Sequence, residues 1–188
     1  MSAGMLAARR SVLEQECALG FDYSVLETVM LGGFVRTDSR FPLADAALEA
    51  LERVGLAGFG ERVYTKLSGG EKRRVQLARA LCQLGNPRGK VLLLDEPSAG
   101  LDPAHAHAAM AAARRAADAG ASVIAVLHDP NLAAAYADKI ALLRGGNLFA
   151  FGGVSETLDA EKLSAVYASP CEIVCGGGRS VAYFPPKK

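Results

Sequence analysis

The 188-residue sequence lacks three features that each define a large class of proteins. It has no excess of one charge, because 21 Lys and Arg residues stand against 20 Asp and Glu residues, so composition gives no support for a nucleic-acid-binding surface. Its apolar runs are far shorter than the roughly 18–20 residues that cross a bilayer. Arg9 and Arg10 are not followed by the apolar segment of a secretory signal. We therefore expect a cytoplasmic chain without a nucleic-acid partner, which can still dock on a membrane protein.

Cysteine is too sparse and too scattered to indicate a metal site. The four cysteines, Cys17, Cys82, Cys171 and Cys175, include no Cys-x-x-Cys pair. Cys171 and Cys175 flank a predicted strand, on which residues four apart lie about 13 Å from each other, too far for one metal ion. We expect ordinary reduced thiols, as is usual in the cytosol.

The phosphate-binding loop pattern G-x-x-x-x-G-K-[ST] is absent from the whole sequence. The stretch Gly85–Lys90 resembles it, but only three residues separate its glycines, one of them Pro87. Val91 follows the lysine and has no hydroxyl for Mg²⁺. The glycine-rich stretch 176–180 has no lysine. Neither stretch therefore supplies the nest of amides and the lysine that hold nucleotide phosphates.

The pattern that is present predicts an α/β fold in one domain. Apolar residues make up 51% of the chain, enough for a substantial core, and strands alternate with helices in the second half. The stretch 24–66 has helical spacing and no strong strand, so we interpret it as an insertion into the sheet. The predicted strands are 10–13, 91–94, 122–127, 140–143, 147–151, 172–175 and 181–184. The predicted helices are 24–31, 43–54, 71–82, 103–120, 130–136, 155–158 and 159–167.

Two adjacent carboxylates, Asp95 and Glu96, follow the apolar run Val91–Leu94. An unbroken apolar run predicts a parallel strand covered on both faces, and ligands bind outside the carboxyl ends of such strands. Neighbouring strand residues point to opposite faces. We therefore expect Asp95 to hold hydrated Mg²⁺ and Glu96 to orient or deprotonate a water molecule. The alternative is a pair of capping or ion-paired acids at a strand end.

A glycine pair at a helix start forms the second candidate site. In Ser68–Gly70 the glycines allow close approach of an anion, and the helix start adds free amides and a positive dipole end. The alternative is an ordinary helix cap, with Lys72–Arg74 as solvated surface.

Two further polar residues end predicted strands. His128 follows the strand 122–127 and could contact a γ-phosphate, and Gln15 follows the first strand and could reach Mg²⁺ through its amide oxygen. Taken singly, the histidine is equally compatible with a structural hydrogen bond, and the glutamine with a polar loop.

The order of these motifs resembles the ATP-binding subunit of ABC transporters. LSGGEKRRVQLARAL at 67–81 is similar to the signature motif and its helix, and VLLLDEPSAGLD at 91–102 is similar to the Walker B strand and D-loop. The stretch 126–152 is similar to the switch-histidine region and the strands after it. The resemblance implies an α/β, P-loop NTPase-like ABC ATPase core with an inserted helical subdomain.

The resemblance also implies a domain layout. The whole chain would be one partial ABC ATPase domain, without the N-terminal strands and the phosphate loop that begin the family's fold. The implied parts are a core sheet at 1–16 and 67–152, a helical subdomain at 17–66 adjoined by the signature helix 68–82, and a C-terminal tail at 153–188.

Site residues, cofactors and partners follow from the same resemblance. It implies ATP and Mg²⁺ as cofactors, transmembrane permease subunits as partners, and a second ATPase subunit in a head-to-tail dimer. A periplasmic binding protein would be an indirect partner, and the chain would lie on the inner face of the cell membrane. The implied site residues are Glu96 and His128 for catalysis, Ser68, Gly69, Gly70, Glu71 and Asp102 for the nucleotide, and Asp95 and Gln15 for the metal.

Within the family, two stretches resemble importers of iron chelates, vitamin B12 and haem. The stretch 9–33 is similar to the query-loop region of haem-import ATPases, and the stretch 156–170 is similar to their tail. The resemblance therefore implies a subunit that powers import of haem or a related iron chelate.

The missing phosphate loop separates this chain from the family pattern, as does the missing adenine-stacking aromatic residue. We therefore expect an N-terminally truncated subunit that binds ATP weakly or not at all on its own. The alternative function is a non-catalytic partner that offers its signature motif to a complete subunit. A third hypothesis, an ABC ATPase of DNA repair or translation, is disfavoured by the short helical insertion and by the tail.

Overall fold

A computed structural model describes residues 3–14, 22–34, 42–176 and 178–186. The chain divides into two compact units, Met1–Leu127 and His128–Lys188. Among the described residues, no helix combines the length and the apolar character that crossing a membrane requires. The predicted metal ligand Gln15 lies outside the described residues, as does Cys17.

The first unit alternates helices and strands. A 3-10 turn at Tyr64–Lys66 lies between its third and fourth helices. Its elements are α1 (Ala3–Arg9), β1 (Arg10–Leu13), α2 (Val25–Gly33), α3 (Leu43–Arg53), α4 (Gly69–Leu84), β2 (Val91–Asp95), α5 (Pro103–Asp118) and β3 (Ser122–Val126). Helix α1 was not predicted from the sequence. The predicted helices at 43–54 and 103–120 and the predicted strands at 10–13, 91–94 and 122–127 are present with small shifts at their ends.

The three strands form a parallel sheet in the order β1-β2-β3. Leu13 pairs with Leu94, and Leu94 pairs with Ala125 on the other side. Leu92 and Leu94 are buried in the main core of this unit, together with apolar residues of α2 to α5. The parallel pairing brings the carboxyl ends of β1 and β2 to the same edge of the sheet, which places Asp95 there.

One face of this sheet is more open than the sequence predicted. Leu92 and Leu94 are buried, whereas Val91 and Leu93 are only partly covered. On β3, the side chains of Ile124 and Val126 are 61% and 52% exposed. An unbroken apolar run could not reveal this difference, because its side chains are equally apolar on both faces.

Helix α2 ends at a glycine pair, with Gly33 as its last residue, two residues beyond the predicted end at 31. Ser24 and Glu27 form a capping box at its start. A Cβ on Gly32 would lie 2.3 Å from the Arg79 carbonyl oxygen, and one on Gly33 would lie 2.0 Å from Leu43 Cδ1. The glycines therefore allow the end of α2 to pack closely against α4 and α3.

The second unit contains two antiparallel hairpins and three short helices among its described residues. Gly145 and Gly146 have φ angles of 56° and 78°, which suits a two-residue hairpin turn, and Arg144 pairs with Asn147 across it. Leu142 and Leu163 are buried in its own small core. Its elements are α6 (Pro130–Tyr136), β4 (Lys139–Arg144), β5 (Asn147–Gly153), α7 (Val154–Thr157), α8 (Ala160–Tyr167), β6 (Glu172–Gly176) and β7 (Arg179–Tyr183).

The two hairpins agree with the sequence-based prediction. The second one, β6–β7, pairs Glu172 with Tyr183. The cysteines that the structure describes, Cys82, Cys171 and Cys175, form no disulfide bonds.

Candidate functional site

Helix α4 begins with a capping box built from the predicted anion-binding residues. The Ser68 hydroxyl accepts a hydrogen bond from the Glu71 amide at 3.3 Å, and the Glu71 carboxylate accepts one from the Ser68 amide at 2.8 Å. Hydrogen bonds from the Ser68 backbone amide and, second, from the Ser68 side chain lower the pKa of Glu71 below its ordinary value. A hydroxyl can rotate its proton towards another acceptor, so the cap and an anion-binding role are compatible.

The first turn of α4 forms one wall of an open cleft of about 360 Å³, which we call the signature cleft. The opposite wall is the turn that precedes α5. A Cβ on Gly70 would lie 3.3 Å from Leu101 Cδ2 and 3.4 Å from the Gly100 carbonyl oxygen, so the two walls nearly touch at this point. The residues that line the cleft are Ser68, Gly70, Glu71, Arg74, Gly100, Leu101, Asp102 and His105.

Gly69 differs from Gly70 in its surroundings. No atom of the described residues lies within 4 Å of a Cβ built on Gly69. The first amides of an α-helix have no acceptor within the helix, and glycine at position 69 adds no side chain beside them. Close packing within the described chain therefore explains the glycine at position 70, whereas position 69 leaves room for a group from outside.

Asp102 caps the start of α5 at the edge of the signature cleft. Its carboxylate accepts a hydrogen bond from the His105 amide at 2.9 Å and contacts His105 Nδ1 at 2.6 Å. These bonds, the backbone one first, lower the pKa of Asp102. The structure thus brings together Ser68, Gly70 and Asp102, three of the predicted nucleotide-binding residues.

The predicted carboxylate pair lies at the carboxyl end of β2, as expected. Asp95 is the last residue of the strand, and Glu96 follows with a φ angle of 48°, a left-handed conformation that non-glycine residues rarely adopt. The Glu96 amide donates to the Val126 carbonyl at 3.1 Å, and its carbonyl accepts from the Ala99 amide at 3.0 Å. Such strained residues cluster at active sites, which favours a functional role for Glu96.

Arg73 connects α4 to the strand ends. Its guanidinium donates to the carbonyl oxygens of Glu14 at 2.6 Å and Glu96 at 2.8 Å, and also to that of Asp95. Burial lowers the pKa of Arg73, while the charges of Asp95 and Glu96 raise it. The interpretation of Arg73 as solvated surface was therefore wrong, because its side chain turns back towards the sheet.

Two other polar residues of α4 are buried. Arg74 is 7% exposed and donates to the carbonyl oxygens of Gly55 at 2.9 Å and Val54 at 3.3 Å. Gln76 is 4% exposed and donates to the Tyr64 hydroxyl at 2.7 Å. Helical periodicity assigns polar residues to the surface. It contains no information about buried carbonyl or hydroxyl groups of other segments that need a hydrogen-bond donor.

His128 is the first residue of the second unit and is exposed. Its carbonyl oxygen accepts a 2.8 Å hydrogen bond from the Tyr167 hydroxyl. An open cavity of about 370 Å³ lies beside it and is lined by His128, Asp129, Pro130, Asn131, Tyr167, Ser169 and Phe184. Tyr167 and Asn131 were not singled out in the sequence, where they carry no motif of their own.

The donors at the end of β2 fit a magnesium ion that is held together with a substrate. The described residues contain no group of three or more His, Cys, Asp or Glu side chains that could hold a metal. Mg²⁺ is commonly bound by one or two carboxylates, with water and substrate phosphates completing its shell. Asp95 supplies one such carboxylate at the sheet edge, which is the arrangement that this mode of binding needs.

Comparison with protein families places the chain among known proteins. Residues 2–99 match the model of the ABC transporter family. The hemin import ATP-binding protein HmuV of Ruegeria sp. is 43% identical over 182 residues, which cover 93% of this chain and 67% of that protein. HmuV of Bartonella quintana is 47% identical over 168 residues, 86% of this chain and 64% of that protein. The chain thus spans about two-thirds, or slightly less, of the curated relatives that it matches.

Solved structures show the same fold. A metal-chelate type ABC transporter in an inward-facing conformation aligns with a TM-score of 0.73 at 26% identity, over 96% of this chain and 72% of that chain. The dimeric ATP-binding cassette MJ0796 with bound ADP and Pi aligns with a TM-score of 0.69 at 26% identity, over 80% of this chain and 65% of that chain. The α/β fold predicted from the sequence is therefore confirmed.

Proposed function

The chain belongs to the ABC transporter family, and we propose that it is part of an ATPase subunit that powers import of haem or a related iron chelate. The observation that carries the proposal is the signature cleft, in which Ser68, Gly70 and Asp102 meet at two helix starts. The relatives named hemin import ATP-binding proteins, 43% and 47% identical, support the cargo.

We assign distinct tasks to the residues at the end of β2. Asp95 would hold Mg²⁺, which supplies positive charge to the phosphates of ATP when bound. Glu96 orients or deprotonates the attacking water, and Arg73 fixes the backbone from which both carboxylates project. The resemblance to the family separately assigns a contact with the γ-phosphate to His128 and a metal-ligand role to Gln15.

The signature cleft acts on the nucleotide of a second subunit. The open space at Gly69 and the amides of the first turn of α4 suit a phosphate that arrives from outside the chain. The dimeric cassette MJ0796 with ADP and Pi, which shares the fold, supports a paired arrangement. Ser68, Gly69, Gly70, Glu71 and Asp102 thus serve the partner's ATP in a head-to-tail dimer.

A second candidate function is supported by one specific observation. The sequence has a complete signature cleft and no G-x-x-x-x-G-K-[ST] loop. A chain with these features can contribute its signature cleft to the ATP site of a complete subunit. It need not hydrolyse ATP at its own carboxylates at the end of β2. This non-catalytic role predicts weak or no ATP binding by the purified chain, and tight Mg²⁺-dependent binding at micromolar ATP would contradict it.

A complementation assay tests the cleft. A complete ABC ATPase subunit, with its own signature serine changed to arginine, provides a phosphate site that lacks a working signature. We expect this chain to restore ATP hydrolysis in a mixed dimer, and Ser68→Arg to abolish the restoration. Asn86→Arg, at the opposite end of α4, is the matched control and should restore hydrolysis normally. Absence of hydrolysis while light scattering shows a mixed dimer would refute the proposal.

A mixed dimer with a complete subunit whose signature serine is intact separates the two candidate functions, because only there does the strand end of this chain face a working signature. If the chain only donates its cleft, Glu96→Gln leaves hydrolysis by this dimer unchanged. If the chain also hydrolyses ATP at its own site, Glu96→Gln lowers it. In a version of the chain that includes a phosphate loop, we expect Glu96→Gln to retain ATP binding and lose most hydrolysis, and unchanged turnover there would reject the assignment of Glu96 as the base.

The proposed partners are transmembrane permease subunits and, indirectly, a periplasmic binding protein, at the inner face of the cell membrane. In this arrangement the helical segment α2–α3 contacts the permease. Disruption of the gene in its host should abolish growth with haem as the iron source and preserve growth on a soluble ferric salt. Unchanged growth on haem would contradict haem as the cargo and leave a related iron chelate as the substrate to test.

A further inference from the structure

Residues 128–131, which we call the His128 segment, connect the proposed γ-phosphate sensor to α6. Asp129 caps this helix by accepting a hydrogen bond from the Asn131 amide at 2.8 Å. The helix is short, from Pro130 to Tyr136, and short helices have little stability of their own. The position of the His128 backbone therefore depends on contacts with other parts of the second unit.

The first of these contacts comes from the end of α8. The Tyr167 hydroxyl donates to the His128 carbonyl oxygen at 2.8 Å. The Tyr167 ring packs edge-on against Phe184, with ring centroids 5.2 Å apart, which fixes the direction of the hydroxyl. Burial, and then the charges of Asp129 and Cys171, raise the pKa of Tyr167. The phenol is therefore protonated at neutral pH and available as a donor.

The second contact comes from β7. The Asn131 side-chain amide donates to the Ala182 carbonyl at 3.0 Å, and its oxygen accepts from the Ala182 amide at 2.7 Å. This two-point pairing resembles the exchange of bonds between neighbouring strands. Ala182 is buried, with 5% of its surface exposed, so the pair is shielded from water. The start of α6 is thereby held to the C-terminal hairpin.

We propose that Tyr167 and Asn131 are positioning residues that hold the His128 segment in the orientation its histidine needs. Tyr167 restrains the peptide group that follows His128, and Asn131 restrains the first turn after it. Neither residue touches the nucleotide. The inference rests on the proposed function, because it assigns to His128 the contact with the γ-phosphate, and it extends that function to the C-terminal segment.

Nuclear magnetic resonance on the 188-residue chain tests this without any nucleotide. The chain has three histidines, so the ring signals of His128 can be assigned by their loss in a His128→Gln variant. Tyr167→Phe removes one hydroxyl and keeps the ring against Phe184. Tyr183→Phe removes a hydroxyl from the neighbouring strand β7 and serves as the matched control.

We expect Tyr167→Phe to shift and broaden the His128 ring signals. It should also speed hydrogen exchange of the Asn131 and Ala133 amides about fivefold, the factor that corresponds to loss of one hydrogen bond. Tyr183→Phe should change neither. Asn131→Asp keeps the hydrogen-bond acceptor for the Ala182 amide and removes the donor to the Ala182 carbonyl. It should have the same effect on the His128 ring signals. This variant tests the proposal if Tyr167→Phe unfolds the second unit.

Two results would overturn the proposal. One is a His128 signal that is the same in Tyr167→Phe and Asn131→Asp as in the unaltered chain. The other is a change that spreads equally over β6 and β7, which would show a purely structural role. Failure of the complementation assay would instead count against the proposed function, so the two hypotheses fail separately.

Discussion

The guanidinium of Arg73, in the second turn of α4, donates a 2.8 Å hydrogen bond to the carbonyl oxygen of Glu96. The same side chain bonds the carbonyl oxygens of Asp95 and Glu14. One residue of the signature helix thus holds the ends of two parallel strands. A displacement of α4 would be transmitted to the proposed metal ligand and base through this side chain.

Replacement of Arg73 should destabilise the first unit. Arg73→Met keeps the length of the side chain and removes every donor, so three carbonyl oxygens lose a charged partner. Bonds of this kind contribute roughly 1.5–3 kcal/mol, and we expect the free energy of unfolding in urea to fall by about 2 kcal/mol. Arg73→Lys should recover part of the loss, because an ammonium lacks the forked geometry.

The neighbouring lysine provides the control for this measurement. Lys72 lies 6.0 Å from the centre of the Tyr64 ring, and Lys72→Met should change the free energy of unfolding by no more than about 0.5 kcal/mol. Equal losses at positions 72 and 73 would show that the link to the strand ends contributes nothing specific.

The left-handed backbone at Glu96 predicts that a glycine variant at this position is more stable than an alanine variant. With φ at 48°, glycine fits this position better than alanine by about 1 kcal/mol. We therefore expect Glu96→Gly to have a higher free energy of unfolding than Glu96→Ala. At Ser98, which does not have a positive φ, the order of glycine and alanine should be the reverse. Thermal or urea unfolding of the four variants measures both differences. If glycine were more stable than alanine at both positions, or less stable at both, the backbone strain at Glu96 would be contradicted.

The two glycines that begin α4, Gly69 and Gly70, should respond differently to alanine. Gly→Ala within a helix ordinarily gains up to about 1 kcal/mol, and we expect Gly69→Ala to keep or raise the free energy of unfolding. Gly70→Ala should lack this gain, because the new methyl group would press against Leu101 and the Gly100 carbonyl.

In the mixed-dimer assay, however, Gly69→Ala should lose the restored hydrolysis although its fold is intact. Its Cβ occupies the open space that we assign to the partner's phosphate. Full hydrolysis with Gly69→Ala would place the phosphate elsewhere.

Alkaline pH should weaken the second unit. The pKa of Tyr167 is raised from 10.0 and that of Cys171 from 9.0, in both cases mainly by burial. A raised pKa means that the folded state favours the protonated group, so this stability is present below the ordinary pKa and is lost as pH rises through the folded one. Denaturation monitored from pH 8 upwards should show the loss, and Tyr167→Phe should reduce it. An identical pH profile in that variant would rule out a contribution from the phenol.

The sequence predicted those parts of the site that depend on a few neighbouring residues. Ser68 occurs where a helix start needs a cap, and Asp95 follows an apolar run that predicts a strand. These features depend on a few consecutive residues, and the structure has them at the predicted places. The roles assigned to the individual site residues stay predictions.

Contacts between segments that are distant in the chain could not be predicted from the sequence. Arg73 and Arg74 were taken as surface because helical periodicity records only polarity, whereas both side chains reach backbone carbonyls of other segments. The predicted helix stopped at 31, and nothing in the sequence around Gly32 and Gly33 showed how closely α3 and α4 approach these glycines. Tyr167 bonds a carbonyl 39 positions earlier in the chain, and no local pattern marks it.

The register of the parallel sheet also sets the order of events during synthesis. Arg10 pairs with Val91, so β1 leaves the ribosome long before its neighbour exists and cannot form a sheet until most of the first unit has been translated. The hairpins β4–β5 and β6–β7 close over a few residues, and local contacts of this kind form quickly. The first unit thus carries the slow, long-range step of folding, and it is the part of the chain whose nascent form has most need of protection from premature association.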